Sequence, residues 1–478
     1  MAVINGYRPQ KLFSFFEEIT KIPRGSGHEE KIAAWLCEFA KERGLPCIRD
    51  EMNNVFITCP ASKGYENEPP VLLQGHTDMV CEKNSDVEFD FENDPLDIYI
   101  DENGFLRARG TTLGADDGVA VATMLALLDG ECAEHPALEC LFTVQEETGL
   151  DGAKYFDFGK VKAKKLINLD SENDGEVIVG CAGGIFHKVT MPLARKEFVG
   201  DAVRLCISGL MGGHSGENIN SGRANANKLM GRALLSLSSD CALRLAYVSG
   251  GSKDNAIPRE CEAVAIVSDY GAFDLAARRV KKAIAGELFR DDSAFSMTWE
   301  KTNFELPPAD KETTEHVIAF MSSVQNGVIA MSRDVQGLVG FSRNLGIVRT
   351  EGDEVTFIFS ARSAVESQLD FASEELAGLA LALGGKAELL GRYPGWEYAE
   401  HSALRDKFFR VYNELTGHEA KANVIHAGLE CGIIKSKLGE MDIISIGPGM
   451  RDIHSPDEAL DLSSFERLWH IVCLLLKK

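Results

Sequence analysis

The chain of 478 residues lacks long hydrophobic runs, a basic surplus, internal repeats and paired-cysteine motifs. Each absence removes a class of function. No apolar stretch approaches the ~18 residues that a membrane span requires. Lys and Arg number 50 against 73 Asp and Glu, giving a formal net charge of −23. A surface of that sign repels the phosphates of nucleic acid and of anionic membranes, so neither is expected as a partner. It accommodates a cationic metal. The opening segment, MAVINGYRPQKLFSFFEEI, has no charged start followed by an uninterrupted apolar core, so no secretory signal is expected. The 12 cysteines include no CxxC pair. A zinc-thiolate site is therefore not expected, and the cysteines read as reduced, small apolar residues in a cytoplasmic protein.

What is present is ordinary for a globular protein: 45% hydrophobic and 26% charged residues. The length calls for two or three domains. Apolar periodicity predicts helices over 9–20 and 28–43. The second follows Ser26, with Glu29 three positions on, which reads as a capping box. NNVFITC, PPVLLQG, LECLFTVQ and KKLINLD read as strands, the last two as apolar runs that a sheet covered on both faces requires. DGVAVATMLALLDG reads as a helix closed by glycine. This is the pattern of an α/β domain with a largely parallel, helix-covered sheet. Near GCAGGIF the texture changes, and Gly180, Gly183 and Gly184 are expected to form a hinge or tight turn. Alternating strands and longer helices then read as an inserted α+β domain. After GRYPGW the α/β texture returns. The expected organisation is a catalytic domain over 1–186 and 393–478, interrupted by an inserted domain over 187–392.

The polar residues at the ends of the α/β strands form one constellation. PPVLLQGHTDMV ends in His76 and Asp78, GTTLGADDG carries Asp116 and Asp117, and LFTVQEETG carries Glu146 and Glu147. KKLINLDSE carries Asp170, and SIGPGMRDIHSP carries His454. Ligands of open α/β sheets sit outside the carboxyl ends of the strands. Several acids and two imidazoles cannot gather in a low-dielectric pocket without a cation to neutralise them. Histidine with carboxylate suits zinc, cobalt or manganese, and the donor count fits two ions sharing a bridging acid. Residues two apart in extended chain point the same way, so Asp78 can hydrogen-bond the His76 ring. At an extended strand end Glu146 and Glu147 should point apart, one to metal and one to the attacking water.

HTDMV, GADDG, QEETG, LDSE, GGHSG and DIHSP together resemble the M20-type di-zinc peptidases and deacylases. GLMGGHSGENINSGRANANKLM, KDNAIPRE and HAGLECGI are similar to the aminoacyl-histidine dipeptidase branch of that family. The resemblance implies that His76, Asp116 and Asp170 hold one zinc, and that Asp116, Glu147 and His454 hold the other. It implies Glu146 as general base, Asp78 as the partner of His76, and a cis peptide between Asp116 and Asp117. The inserted region would be a lid. Within it His214 would stabilise the oxyanion, while Asn255 and Arg362 would grip the substrate's carboxylate. His426 would line the pocket and Glu430 would meet the α-amine. The implied activity is hydrolysis of unblocked dipeptides, Xaa-His among them, by a cytoplasmic homodimer. An N-acyl amino acid deacylase or a tripeptidase of the same fold is the alternative, and an inactive binding scaffold a third.

Overall fold

The computed structural model describes residues 3–288, 290–333 and 335–478. The chain divides into two compact units, one of residues 1–180, 398–424 and 429–478, the other of residues 181–397 and 425–428. His426 falls in the second.

The first unit is built on an eight-stranded sheet. Its middle is four parallel strands in the order Leu138–Thr143, Val71–His76, Lys165–Asn168 and Asp442–Ser445. Every residue of the first two is buried, which explains their lack of polar alternation. The flanks are antiparallel: Cys47–Arg49 pairs with Val55–Cys59, which pairs with Leu138–Thr143, while Asp442–Ser445 meets Glu176–Cys181. Register sets the edge that matters. His76 lies opposite Thr143, and Gln74 opposite Asn168, so these strands end together. Helix Ala115–Leu128 is buried along its whole length, as a helix apolar all round must be. Helices Gln10–Ile19 and Leu462–Leu476 join it, with Phe13 meeting Phe465 edge-on at 5.4 Å between centroids. A small sheet orders Met450–Arg451, Ala459–Asp461, Phe105–Ala108 and Ile98–Ile100. The loop between its first two strands carries His454.

The second unit is a nine-stranded sheet whose strands pair antiparallel. Helices Ala226–Asp240, Tyr270–Glu287 and Lys311–Ser323 each start on a capping side chain, Asn225, Asp269 and Asp310. Phe320, Phe357 and Phe359 lie fully buried at its core.

Two local expectations are corrected here. Ser26 does not cap the helix Glu30–Glu42, whose start has no side-chain cap; its hydroxyl donates to Asp78 Oδ2 at 2.7 Å. The long-range acceptor wins over the local amide. Gly180, Gly183 and Gly184 form no tight turn: they lie in the strands Glu176–Cys181 and Gly183–Pro192, at the place where the first unit ends at Gly180 and the second begins at Cys181. At Gly183 and Gly184 the glycine serves close approach, because a Cβ would strike the Tyr393–Gly395 segment.

Candidate metal centre

His76 is the last residue of its strand, and Asp170 lies two residues beyond the Lys165–Asn168 strand. Asp116 sits at the start of the buried helix, after Gly114 in the left-handed region at φ +66°, and its peptide to Asp117 is cis. The glutamates depart from the extended reading. Gln145 takes left-handed angles (φ 53°, ψ 35°), and Glu146–Gly149 then forms one helical turn. Asp78 stabilises that turn: its carboxylate accepts the amides of Glu146 and Glu147 at 3.1 and 3.3 Å. The turn, not strand pleating, therefore sets the two side chains, and an oxygen of each lies within 4.8 Å of the other and of a His76 ring nitrogen.

The result is a chain of donors ordered around Asp116. Its Oδ1 lies 3.0 Å from His76 Nε2, and its Oδ2 lies 3.1 Å from His454 Nε2. Asp170 Oδ1 is 3.8 Å from His76 Nε2, and Glu147 Oε1 is 2.9 Å from His454 Nε2. The atoms of His76, Asp116 and Asp170 fall within 4.8 Å of one another, as do those of Asp116, Glu147 and His454. Asp116 belongs to both sets. A third set joins His76, Glu146 and Glu147. On its far side His76 Nδ1 faces the Asp78 carbonyl at 3.1 Å and the Asp78 carboxylate at 3.4 Å. That contact orients the ring and leaves Nε2 for a cation.

The electrostatics fit a pair of divalent cations. Burial, aided by neighbouring carboxylates, pushes the Asp170 and Glu146 carboxyls well above their ordinary range. Burial would raise Asp116 too, but hydrogen bonds from His454 and His76 outweigh it and hold that carboxyl low. His454 is pushed up to about 10 by its bonds to Asp116 and Glu147. For His76 the same kind of contact, with Asp116 and Asp78, overcomes burial and raises the ring. Protons thus stand in for positive charge that the cluster demands. A cation must displace them to reach neutral imidazoles and ionised carboxylates. Metal uptake at neutral pH is therefore expected to release protons, with apparent affinity rising as pH rises. Calorimetric titration in two buffers of different ionisation enthalpy measures this; identical heats in both would refute it.

Glu430, fully buried at the start of helix Glu430–Leu438, belongs to the same unit. Its Oε2 accepts from Gln74 Nε2 at 2.5 Å and Thr143 Oγ1 at 2.7 Å, while Oε1 is buried with no hydrogen-bond partner. Burial raises the carboxyl to about 7.

The remaining expected residues lie in the second unit. His214 is in the two-residue strand Gly213–His214, opposite Ala256. Its Nδ1 accepts the Glu217 amide at 3.3 Å, so the neutral ring carries its proton on Nε2 as a free donor. Burial, with the Arg362 charge, lowers its pKa and keeps it neutral. Arg362 donates from Nη1 to the Tyr393 hydroxyl at 2.9 Å, and its Nε is buried without a hydrogen-bond partner. His426 Nε2 lies 2.7 Å from Ser342 Oγ; burial and the Arg362 charge hold it at about 4. Asn255 is exposed, and its carbonyl accepts the Ser215 amide at 2.8 Å. Ser342, Tyr393, Gln74 and Thr143 carry no local motif, and sequence reading passed over them.

This fold and donor set are those of a metal-dependent hydrolase. The chain belongs to peptidase family M20/M25/M40, whose family model matches residues 72–478. It is 36% identical over 482 residues to the cytosol non-specific dipeptidase of Escherichia coli strain K12, covering 100% of this chain and 99% of that protein. It is similar to the crystal structure of aminoacylhistidine dipeptidase from Vibrio alginolyticus, with a TM-score of 0.91 and 37% identity over 98% of this chain and 96% of that one. A tripeptidase from Staphylococcus aureus shares the fold at a TM-score of 0.57 and 18% identity, over 98% of each chain.

Proposed function

We propose that the chain is a metal-dependent dipeptidase that hydrolyses unblocked dipeptides, Xaa-His among a broad range. The observation that carries the reading is Asp116, one carboxylate oxygen at each of two histidines, with Asp170 and Glu147 completing the two donor sets. The names of the two full-length relatives support the substrate class. His76, Asp116 and Asp170 hold one divalent ion and Asp116, Glu147 and His454 the other, zinc by preference, with cobalt or manganese able to replace it. Such ions, when bound, acidify water and polarise a carbonyl.

The chain's own groups do the rest. Glu146 takes a proton from the water that adds to the scissile carbon and returns it to the leaving amine. Glu430 Oε1, the unpartnered buried oxygen, accepts from the substrate ammonium. In this proposal His214 donates Nε2–H to the developing oxyanion, and Arg362 and Asn255 take the terminal carboxylate, for which a planar guanidinium is suited. His426, neutral and tied to Ser342, lines the pocket. A homodimer is part of the reading. The edge strand Lys386–Tyr393 exposes Leu389 and Leu390, and helix Glu366–Ala382 exposes Phe371 and Leu381, which gives a second copy an unpaired edge. A cytoplasmic location is supported by the 12 cysteines, none of which forms a disulfide. Among the described residues no helix is long and apolar enough to cross a membrane.

The test is amino-acid release from dipeptides, N-acetylated dipeptides and tripeptides, after chelation and after adding back zinc, cobalt or manganese. Metal-dependent cleavage confined to dipeptides with a free amine is expected. Cleavage of blocked substrates would replace this reading with a deacylase, cleavage of tripeptides with a tripeptidase, and no cleavage with a scaffold.

A further inference from the structure

Two opposite charges lie buried beside the metal centre without belonging to either donor set. Arg24 is 1% exposed and Glu458 2%. The hydrogen bonds of both go to backbone, while the two charges attract each other through space. Arg24 Nη1 donates to the carbonyls of Thr77 and Asp78 at 2.9 and 3.2 Å, and its Nη2 donates to the carbonyl of Gly114. Glu458 Oε2 accepts the amides of Leu113 and Gly114 at 2.6 and 2.9 Å, and Oε1 accepts that of Ala115 at 2.8 Å. The Leu113–Asp116 loop is thus gripped from both sides, its carbonyl by a cation and its amides by an anion. Gly114 sits between them, and a Cβ there would strike Met79 Sδ at 2.8 Å. Glu458 follows His454 by four residues in the same loop, so its grip also ties His454 to Asp116. Arg24 ties the His76 strand end to the same loop.

We infer that Arg24 and Glu458 are positioning residues that set the Asp116 loop before any metal arrives, so that one carboxylate presents an oxygen to each cation. Burial of an ion is tolerated here because charge-assisted bonds to backbone are short and directional. A neutral side chain would support the loop but not fix it. The inference rests on the two-metal reading above.

The experiment is cobalt titration of the full chain, followed by visible absorption, for wild type, Glu458→Gln, Arg24→Lys and Glu139→Gln. Glu139 is the control: it is 5% exposed and accepts the Lys162 and Ala163 amides at 3.0 Å, away from the donor sets. Glu458→Gln and Arg24→Lys are expected to bind cobalt about 10–100-fold more weakly, with an altered spectrum, while Glu139→Gln matches wild type. A folded clamp variant with wild-type affinity and spectrum overturns the inference, as does an equal loss in Glu139→Gln. Hydrogen exchange on metal-free wild type needs no variant. The amides of Leu113, Gly114 and Ala115 are expected to be protected before cobalt is added; protection that appears only with cobalt overturns the inference. Wild type that takes up no cobalt would sink the two-metal reading, and the exchange result would still judge the clamp.

Discussion

Glu146→Ala is expected to lose about 10²–10⁴-fold in turnover while the purified protein still carries two metal ions per chain. The separation of the two effects follows from the geometry. Glu146 stands outside both donor sets that contain Asp116, and its backbone, not its side chain, anchors the helical turn through Asp78. Truncation removes the proton carrier and leaves Glu147 in place. Burial and nearby carboxylates raise the Glu146 carboxyl above its ordinary value. A base is active only when ionised, so wild-type turnover should fall on the acid side as Glu146 takes up its proton. The residual rate of the variant should lack this contribution. Dipeptide hydrolysis across pH, with elemental analysis of the same samples, decides the matter. Turnover within tenfold of wild type would remove Glu146 from the mechanism.

Asp116→Asn should do more damage, and to binding before chemistry. The carboxylate offers an oxygen to each histidine side of the centre. An amide offers one oxygen and one NH₂, so it can serve one cation and must turn a donor toward the other. Metal content after dialysis should drop from two ions to at most one, with turnover lost below that of Glu146→Ala. The metal-free chain gives a second readout. His454 stands at about 10 through its bonds to Asp116 and Glu147. Without the Asp116 charge its pKa should fall toward the ordinary value of about 6.5. An NMR titration of the His454 ring reads that directly. Two ions held tightly by the variant would deny Asp116 its bridging place.

The cluster around Asp116 was legible as a cluster because its chemistry is non-local in a simple way. His76 and Asp170 end apolar strands, Asp116 opens an apolar helix and His454 lies in a loop beyond another strand, and only a shared cation makes that gathering economical in charge. The strands themselves were legible from burial on both faces. Glu146 and Glu147 were found, but their conformation was not: nothing in QEETG announces that Gln145 adopts left-handed angles, since that choice is settled by Asp78 accepting the next two amides. Ser26 was given to its own helix because the local amide is close in sequence; its partner is 52 residues away. Arg24 and Glu458 escaped for the same reason on a larger scale. Their backbone partners in the Asp116 loop lie 90 and 344 residues away, and a backbone carbonyl or amide leaves no trace in residue type. At Gly183 and Gly184 the tight turn is absent, because a distant segment needs the space that a side chain would fill.

The sheet of the first unit has an order in time as well as in space. Asp442–Ser445 enters between Lys165–Asn168 and Glu176–Cys181, strands made long before it on the ribosome. Chains fold from the N-terminus as they emerge, and pairings distant in sequence close late. The nascent protein therefore carries His76, Asp116, Glu146, Glu147 and Asp170 through the whole synthesis of the second unit, with a gap in the sheet and with neither His454 nor Glu458 yet made. The metal centre is a late product of biogenesis. A chain terminated before residue 442 would present a half-set of acids with an open strand edge, a substrate for quality control rather than a feeble enzyme.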